Sequence, residues 1–265
     1  MRSFKIFCLI LTAILHTTFA TLGRLVFFFN KRIRTLYLAG NNKFICTLLC
    51  AILGVHVKAY KRESRYRKAV FYVGNHLTYL DAVILASLYP SVFVTSVDMG
   101  QRKSEGFILS NAGSVMVERR REKLTHGEIR QNIKNIQSVI MQGCPLCIFP
   151  EATSAGGGEE LVFYSSMFAS VEYTDTTIVP FHISYTKANR EPLTESTRDT
   201  IYFYKGDHLL PHLNKLLNLN NIEAKITFLP DFSAKGKNRK EIRSDCKAII
   251  TEEINQQPRP EGTGY

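Results

Sequence analysis

His76 and Asp81 are the residues in this chain best placed to move a proton. His76 follows the apolar run Ala69-Val70-Phe71-Tyr72-Val73-Gly74, and Asp81 leads into Ala82-Val83-Ile84-Leu85-Ala86. The pattern predicts a strand, a sharp turn and a helix, with the imidazole on the turn and the carboxylate just inside the helix. On one continuous helix this spacing would send the two side chains to different faces, whereas across a turn they can meet. An Asp behind a His fixes the imidazole tautomer and stabilises the imidazolium, so the pair can serve as general base for a hydroxyl nucleophile. Thr78-Tyr79-Leu80-Asp81 also reads as a capping box with Thr78 as N-cap, in which Asp81 only satisfies an orphan amide. A carboxylate has lone-pair sites enough for both roles.

Three later segments carry chemistry-bearing residues at the ends of short strands. Gly113-Ser114-Val115-Met116-Val117-Glu118-Arg119 is a glycine turn, an alternating strand and a cation. Ile148-Phe149-Pro150-Glu151-Ala152-Thr153-Ser154 ends a strand in a turn that holds a carboxylate and hydroxyls. Ile178-Val179-Pro180-Phe181-His182-Ile183 is a strand interrupted by proline. These four blocks, in this order and at these separations, resemble the glycerolipid acyltransferase family that includes 1-acylglycerol-3-phosphate O-acyltransferase. The resemblance covers about residues 70–185.

What the resemblance implies transfers position by position. His76 would be the general base that deprotonates a glycerol-type hydroxyl, with Asp81 as its orienting partner. Arg119, on a turn made possible by Gly113, would contact the acceptor headgroup. Glu151 and Thr153 would line the same site, and Pro180 would shape the pocket on the neighbouring strand. The donor would be a thioester, acyl-CoA or acyl carrier protein, and the acceptor a lysolipid such as a lysophospholipid, 1-acylglycerol-3-phosphate or lyso-ornithine lipid. No metal and no further cofactor is implied, because a thioester is already a good electrophile and the weak hydroxyl nucleophile needs only a base.

The departures from the family pattern concern charge. Glu151-Ala152-Thr153-Ser154 lacks the Arg that many members carry in the third block. Phe93-Val94-Thr95-Ser96 offers hydroxyls where many carry Lys, and Tyr164 stands where one subgroup has a basic residue. Arg119, helped by Arg120 and Arg121, is left to hold an anion. Fewer charge-assisted bonds argue against a bare phosphomonoester as preferred acceptor. The Glu-Ala-Thr-Ser form looks closer to the lyso-ornithine-lipid and lysophospholipid branches than to the lysophosphatidic acid branch. The competing expectation is a catalytically silent lipid-binding or membrane-scaffold protein that keeps the fold.

The elements around these residues point to a membrane surface. Ile6 to Gly23 is an apolar stretch near the minimum length for a bilayer span, and Phe44 to Val57 is a shorter one suited to the interface. A single span and a helix pair dipping from one side both fit. Arg2, Lys5 and Thr18-Phe19-Ala20 imitate a cleavable signal, but the second stretch and Phe27-Phe28-Phe29 favour a retained anchor. Basic residues crowd the side after the first stretch, which by the positive-inside rule puts the catalytic domain in the cytoplasm. The net charge of +11 suits anionic headgroups or an acidic carrier protein. With no recognition motif in view, nucleic acid is not an expected partner.

The remaining candidates are weaker. Six cysteines form no second pair beside Cys144-Pro145-Leu146-Cys147, so they read as structural thiols. His208 and His212 are separated by Pro211 with no adjacent carboxylate ligand, so no metal site is expected. There is no Gly-x-Ser-x-Gly elbow and no phosphate-binding Gly-Lys loop. Gly156-Gly157-Gly158 read as a mobile edge of the substrate entrance.

Alternation predicts an α/β fold: a mixed, largely parallel sheet flanked by helices, preceded by an N-terminal membrane-associated helical segment. Strands are expected near Val92–Thr95, Ser114–Glu118, Pro145–Phe149, Thr177–Tyr185, Ile201–Lys205 and Ile222–Leu229. Helices are expected near Gly106–Asn111, after the capping box Thr125-His126-Gly127-Glu128 as far as Gly143, and over Arg239–Gln256. The helices of residues 1–60, an acyltransferase domain of 61–256 and a disordered tail of 257–265 make up the expected division. Turns at strand ends then gather His76, Arg119 and Glu151 at one sheet edge.

Overall fold

The computed structural model describes residues 2–61, 70–118, 125–151, 163–204 and 206–256. The strand β2 (Val70–Gly74) has an apolar alternation that splits it between two cores. Phe71 and Val73 face one hydrophobic cluster, and Tyr72 faces the other. The same alternation holds in β5 (Leu146–Ile148), where Leu146 and Ile148 join the first cluster and Cys147 the second. Side chains of period two buried on both faces require helices above and below the sheet. That is the arrangement observed.

The described strands β1 (Val55–Lys61), β2, β3 (Val92–Ser96), β4 (Val115–Val117), β5, β6 (Thr177–Ala188) and β8 (Ile222–Phe228) form one sheet. Their order is β1-β8-β6-β2-β5-β3-β4, and the short strands β7 (Glu191–Pro192) and β9 (Phe232–Ser233) pair with β6. Neighbours are parallel from β6 through β4 and between β1 and β8, whereas β8 runs antiparallel to β6. The fold is therefore the mixed, mostly parallel α/β sheet with flanking helices that alternation predicts.

Two long helices precede the sheet: α1 (Arg2–Val26) and α2 (Lys31–Leu53). The second is much longer than the apolar stretch at Phe44 suggests. Asn30 caps its start, its side chain accepting the Ile33 amide, and Gly54 in the left-handed region ends it. Residues from Val55 onward leave the helical segment and become β1, so the sheet begins inside the region assigned above to the N-terminal helices.

α1 is patterned inside out. Its buried residues are Thr12, His16, Ala20 and Gly23, while Phe4, Phe7, Ile10, Leu11, Ile14, Leu22 and Leu25 are exposed. Asn41 Nδ2 donates to His16 Nδ1 at 2.9 Å between the two helices, so polar groups face inward. Both ends of α1 are tied to the globular body. Arg2 bonds Asn214 and Lys5 bonds the Leu219 carbonyl at 2.9 Å. At the other end Arg24 bonds Asn111 Oδ1 at 3.2 Å and the Ser110 carbonyl.

The flanking helices follow the expected signals with one exception. α6 (His126–Met141) starts with the Thr125/Glu128 capping box, and α9 (Arg239–Gln256) buries Ile242, Cys246 and Ile250. The expected strand Ile201–Lys205 is not formed. Ile201 is instead the last residue of α7 (Glu195–Ile201), whose start is capped by Thr194, and Tyr202 to Tyr204 are irregular. The aromatic run resembles a strand in composition. Its first residues are held by other elements instead: Tyr202 is buried against Tyr185, and the Phe203 amide donates to the Leu77 carbonyl.

Candidate active site

β2 delivers the chain to the sheet edge at Gly74, where a side chain is excluded: a Cβ would lie 2.2 Å from the Phe181 ring. Asn75 then continues the ladder with its side chain. Its Oδ1 accepts the Ile183 amide at 2.8 Å, and its Nδ2 donates to the Ile183 carbonyl at 2.9 Å. The turn that follows is therefore clamped to β6 before it reaches His76.

α3 (Leu80–Leu88) brings Asp81 back under that turn. Asp81 is fully buried, and its Oδ2 accepts His76 Nδ1 at 3.0 Å together with the amides of Leu77 (2.6 Å) and Thr78 (2.9 Å). Its Oδ1 accepts the Tyr185 hydroxyl at 2.8 Å. A carboxylate in the first turn of a helix also lies in the favourable field of the helix N-terminus. Opposite a carboxylate oxygen, Nδ1 must carry the proton, which leaves the lone pair on Nε2. The imidazole is 22% exposed, enough for a substrate to reach it. It also stacks on Phe149, with centroids 4.2 Å apart and planes 14° from parallel. Asp81 sets the ring's rotation and Phe149 sets its plane.

The expected capping box is half made. Asp81 reaches back to the Thr78 amide, but Thr78 Oγ1 is buried without a partner, and the N-cap residue is Tyr79, whose side chain does not cap the helix. The carboxylate is used by the histidine and the turn amides at once, so the two readings of Asp81 describe one group.

Glu151 closes the site from the end of β5. Its Oε1 accepts the His76 amide at 3.1 Å, and the residue is 7% exposed. Burial pushes its carboxyl up to about 8; the His76 N–H acts against that shift, and the charge on Asp81 adds to it. The group is thus mostly a neutral acid near neutral pH. Tyr164 lies beside this turn, its amide donating to the Pro150 carbonyl at 3.0 Å.

The tertiary structure thus brings together His76, Asp81 and Glu151 at the C-terminal ends of β2 and β5. Pro180 sits one strand over, level with Val73, and its carbonyl accepts the Leu229 amide. Gly113 is elsewhere. It makes the left-handed turn (φ 68°) that enters β4, at the opposite end of the parallel strands, and faces Leu38 of α2. Arg119 and Thr153 lie outside the described residues, as do Arg120, Arg121, Ser154 and the glycines 156–158.

Three contributors escape a reading of the sequence. Asn75 and Phe149 adjoin recognised residues, and only their contacts reveal a role. Tyr185 stands 104 positions from Asp81 and has no local signal at all.

Residues 56–184, which include His76, Asp81 and Glu151, match the family model described as Acyltransferase. This chain carries an acyltransferase domain. Relatives named lyso-ornithine lipid O-acyltransferase occur in Pseudomonas aeruginosa and Rhizobium meliloti. The first is 25% identical over 202 residues, covering 76% of this chain and 73% of that enzyme. The second is 28% identical over 203 residues, covering 73% and 67%. A Helicobacter pylori protein named 1-acyl-sn-glycerol-3-phosphate acyltransferase is 27% identical over 126 residues, covering 47% and 51%. The crystal structure of the Thermotoga maritima 1-acyl-sn-glycerophosphate (LPA) acyltransferase PlsC superposes with a TM-score of 0.62 at 13% identity. That match covers 98% of this chain and 100% of PlsC, so the two share a fold.

Proposed function

We propose that this acyltransferase moves a fatty acyl group from a thioester, acyl-CoA or acyl carrier protein, to the hydroxyl of a lysolipid. The observation that carries the reading is the His76–Asp81 pair: Nδ1 is held at 3.0 Å by a buried carboxylate, which leaves Nε2 to accept a proton. Nε2 takes the hydroxyl proton as the alcohol oxygen attacks the thioester carbonyl. Collapse of the tetrahedral intermediate forms the ester and breaks the carbon–sulfur bond. The imidazolium returns the proton to the departing thiolate. Arg119 and Thr153 contribute to holding the acceptor headgroup, and Glu151 braces the histidine turn.

The acceptor is a lysolipid with little net negative charge. By the resemblance to the family, the hydroxyls of Phe93-Val94-Thr95-Ser96, Ser154 and Tyr164 stand where family members have cations, which leaves few charge-assisted bonds for a phosphomonoester. The names of the Pseudomonas and Rhizobium relatives point the same way, toward lyso-ornithine lipid.

The protein works at the cytoplasmic face of a membrane. Both α1 and α2 are long and apolar enough to cross one. A 25-residue helix is about 37 Å long. With both its ends bonded to the same globular body, α1 supports a helix pair lying in one leaflet better than a span. Its outward apolar face would meet acyl chains.

The test is acyl transfer by the purified protein to lyso-ornithine lipid, lysophosphatidylethanolamine and lysophosphatidate. Turnover on the zwitterionic acceptors should exceed that on lysophosphatidate and should drop by roughly 10²–10⁴-fold in His76→Ala. Equal rates in wild type and variant would sink the general-base reading. A strong preference for lysophosphatidate would sink the charge argument alone.

A further inference from the structure

We infer that the Tyr185 hydroxyl is a positioning group for the base: by holding Asp81 Oδ1 it keeps Oδ2 on the His76 Nδ1 proton. This rests on the reading of His76 as general base and adds a residue that no motif in the sequence marks.

Four donors converge on Asp81, three of them on Oδ2 and the Tyr185 hydroxyl on Oδ1 at 2.8 Å. The three bonds on Oδ2 come from one short turn, so they can shift together with that turn. Tyr185 comes from β6, on the far side of the carboxylate, and opposes any rotation about the Cβ–Cγ bond. Its own position is fixed twice. Asn75 clamps β6 at Ile183 through two hydrogen bonds, and Tyr202 braces the ring edge-on at 6.1 Å. The residue just before His76 therefore also sets the register of the strand that carries Tyr185.

The phenol stays a donor throughout any assay range, because burial first and the charge of Asp81 second push it well above its ordinary value. With Asp81 fully buried, a missing donor would leave an anionic oxygen without a partner and concentrate its charge on the imidazole. The other titratable groups that feel Asp81 are left in place by a substitution at 185 and contribute equally to every profile compared. Cys147 on β5 is pushed well above the ordinary thiol value and Tyr202 is pushed up to about 12, whereas His182 on β6 falls to about 4 and Glu151 rises to about 8. Differences in the acid limb between proteins that differ only at position 185 therefore report on the Tyr185–Asp81 contact.

The experiment compares pH profiles of kcat and KM for wild type, Tyr185→Phe and a protein with 3-fluorotyrosine at position 185. Tyr185→Phe should lower kcat roughly tenfold, leave both KM values within about twofold, and move the acid limb to higher pH. Fluorination strengthens the donor without changing its reach, so it should move the limb to lower pH. Limbs that coincide with wild type, shifts of one sign in both proteins, or a change confined to KM would overturn the assignment. If Tyr185→Phe does not fold, the direction of the fluorotyrosine shift decides. His76→Ala assayed alongside separates the two claims. Retained turnover there removes the base itself, whereas a dead His76→Ala with unmoved Tyr185 profiles removes only the positioning role.

Discussion

Asp81 and Glu151 bond the same turn and sit in different surroundings. Asp81 collects four donors, which stabilise its anion although it is fully buried. Glu151 has the His76 amide as its donor and pays for burial with a raised pKa of about 8. The sign of the linkage is definite. A carboxyl raised on folding contributes stability that is fully present below its unfolded value of 4.5 and is lost as pH rises through about 8. Glu151→Gln stays neutral and escapes that loss. Its advantage over wild type in thermal unfolding should grow from about pH 5, level off above about pH 8, and reach the order of a few kcal/mol. A difference that does not vary with pH would show that Glu151 is ionised in the folded protein. Asp81→Asn should act differently. The amide oxygen can still accept the turn amides, but the carboxylate charge that stabilises the imidazolium is gone, so kcat should fall by roughly 10²–10⁴-fold. Circular dichroism would confirm that this variant is folded.

Among the elements, the junction between β2 and α3 concentrates the most demands. Gly74 admits no side chain because Phe181 covers it, and Phe181 lies against Phe149, which in turn stacks on His76. Gly74→Ala should therefore cost about 1–3 kcal/mol in denaturant unfolding and lower turnover as well, because the displaced rings support the imidazole. Loss of stability with full activity would show that the aromatic stack does not position the base. This junction was legible in the sequence, since an apolar run, a glycine and a polar turn leave few alternatives. The region around Ile201 was not. Ile201-Tyr202-Phe203-Tyr204 has strand composition, yet Thr194 begins a helix that ends at Ile201. The rings after it pack between α8 (Leu209–Leu216) and the histidine turn, where Phe203 and Tyr79 both meet His212. His212 Nε2 donates to the Tyr202 carbonyl, so its Nδ1 accepts the Tyr79 hydroxyl. Partners more than a hundred positions apart along the chain chose that conformation, and no local window contains them.

At the scale of the whole molecule, the N-terminal helices and the sheet are one body. α2 packs on both α1 and α3, and Asn42 of α2 donates to the carbonyls of Ser91 and Ala112 at the entrances to β3 and β4. α1 is thus two helix contacts away from Asp81. Phe7→Ser, Ile14→Ser and Leu22→Ser combined should abolish sedimentation with liposomes and slow turnover on bilayer-borne lysolipid. Activity on substrate dispersed in detergent should be preserved. Undiminished liposome binding would show that the exposed face of α1 is not the membrane contact. The residues chosen are solvent-facing, and the buried stripe Thr12, His16, Ala20 and Gly23 is left intact.

Local pattern by itself determined the α/β class, most element positions, the two apolar helices and the proximity of His76 to Asp81. Each of these follows from periodicity, capping or a turn within a few residues, where chain connectivity makes geometry nearly inevitable. Only the tertiary structure decided which distant groups complete the site. Tyr185 reaches Asp81, and Glu151 reaches the His76 amide, because β6 and β5 flank β2 in the sheet. It also decided that Gly113 makes its turn at the far end of the strands and that α1 lies along the body. Such outcomes depend on strand order and packing, which the free energy of burying many residues together selects and no single stretch encodes.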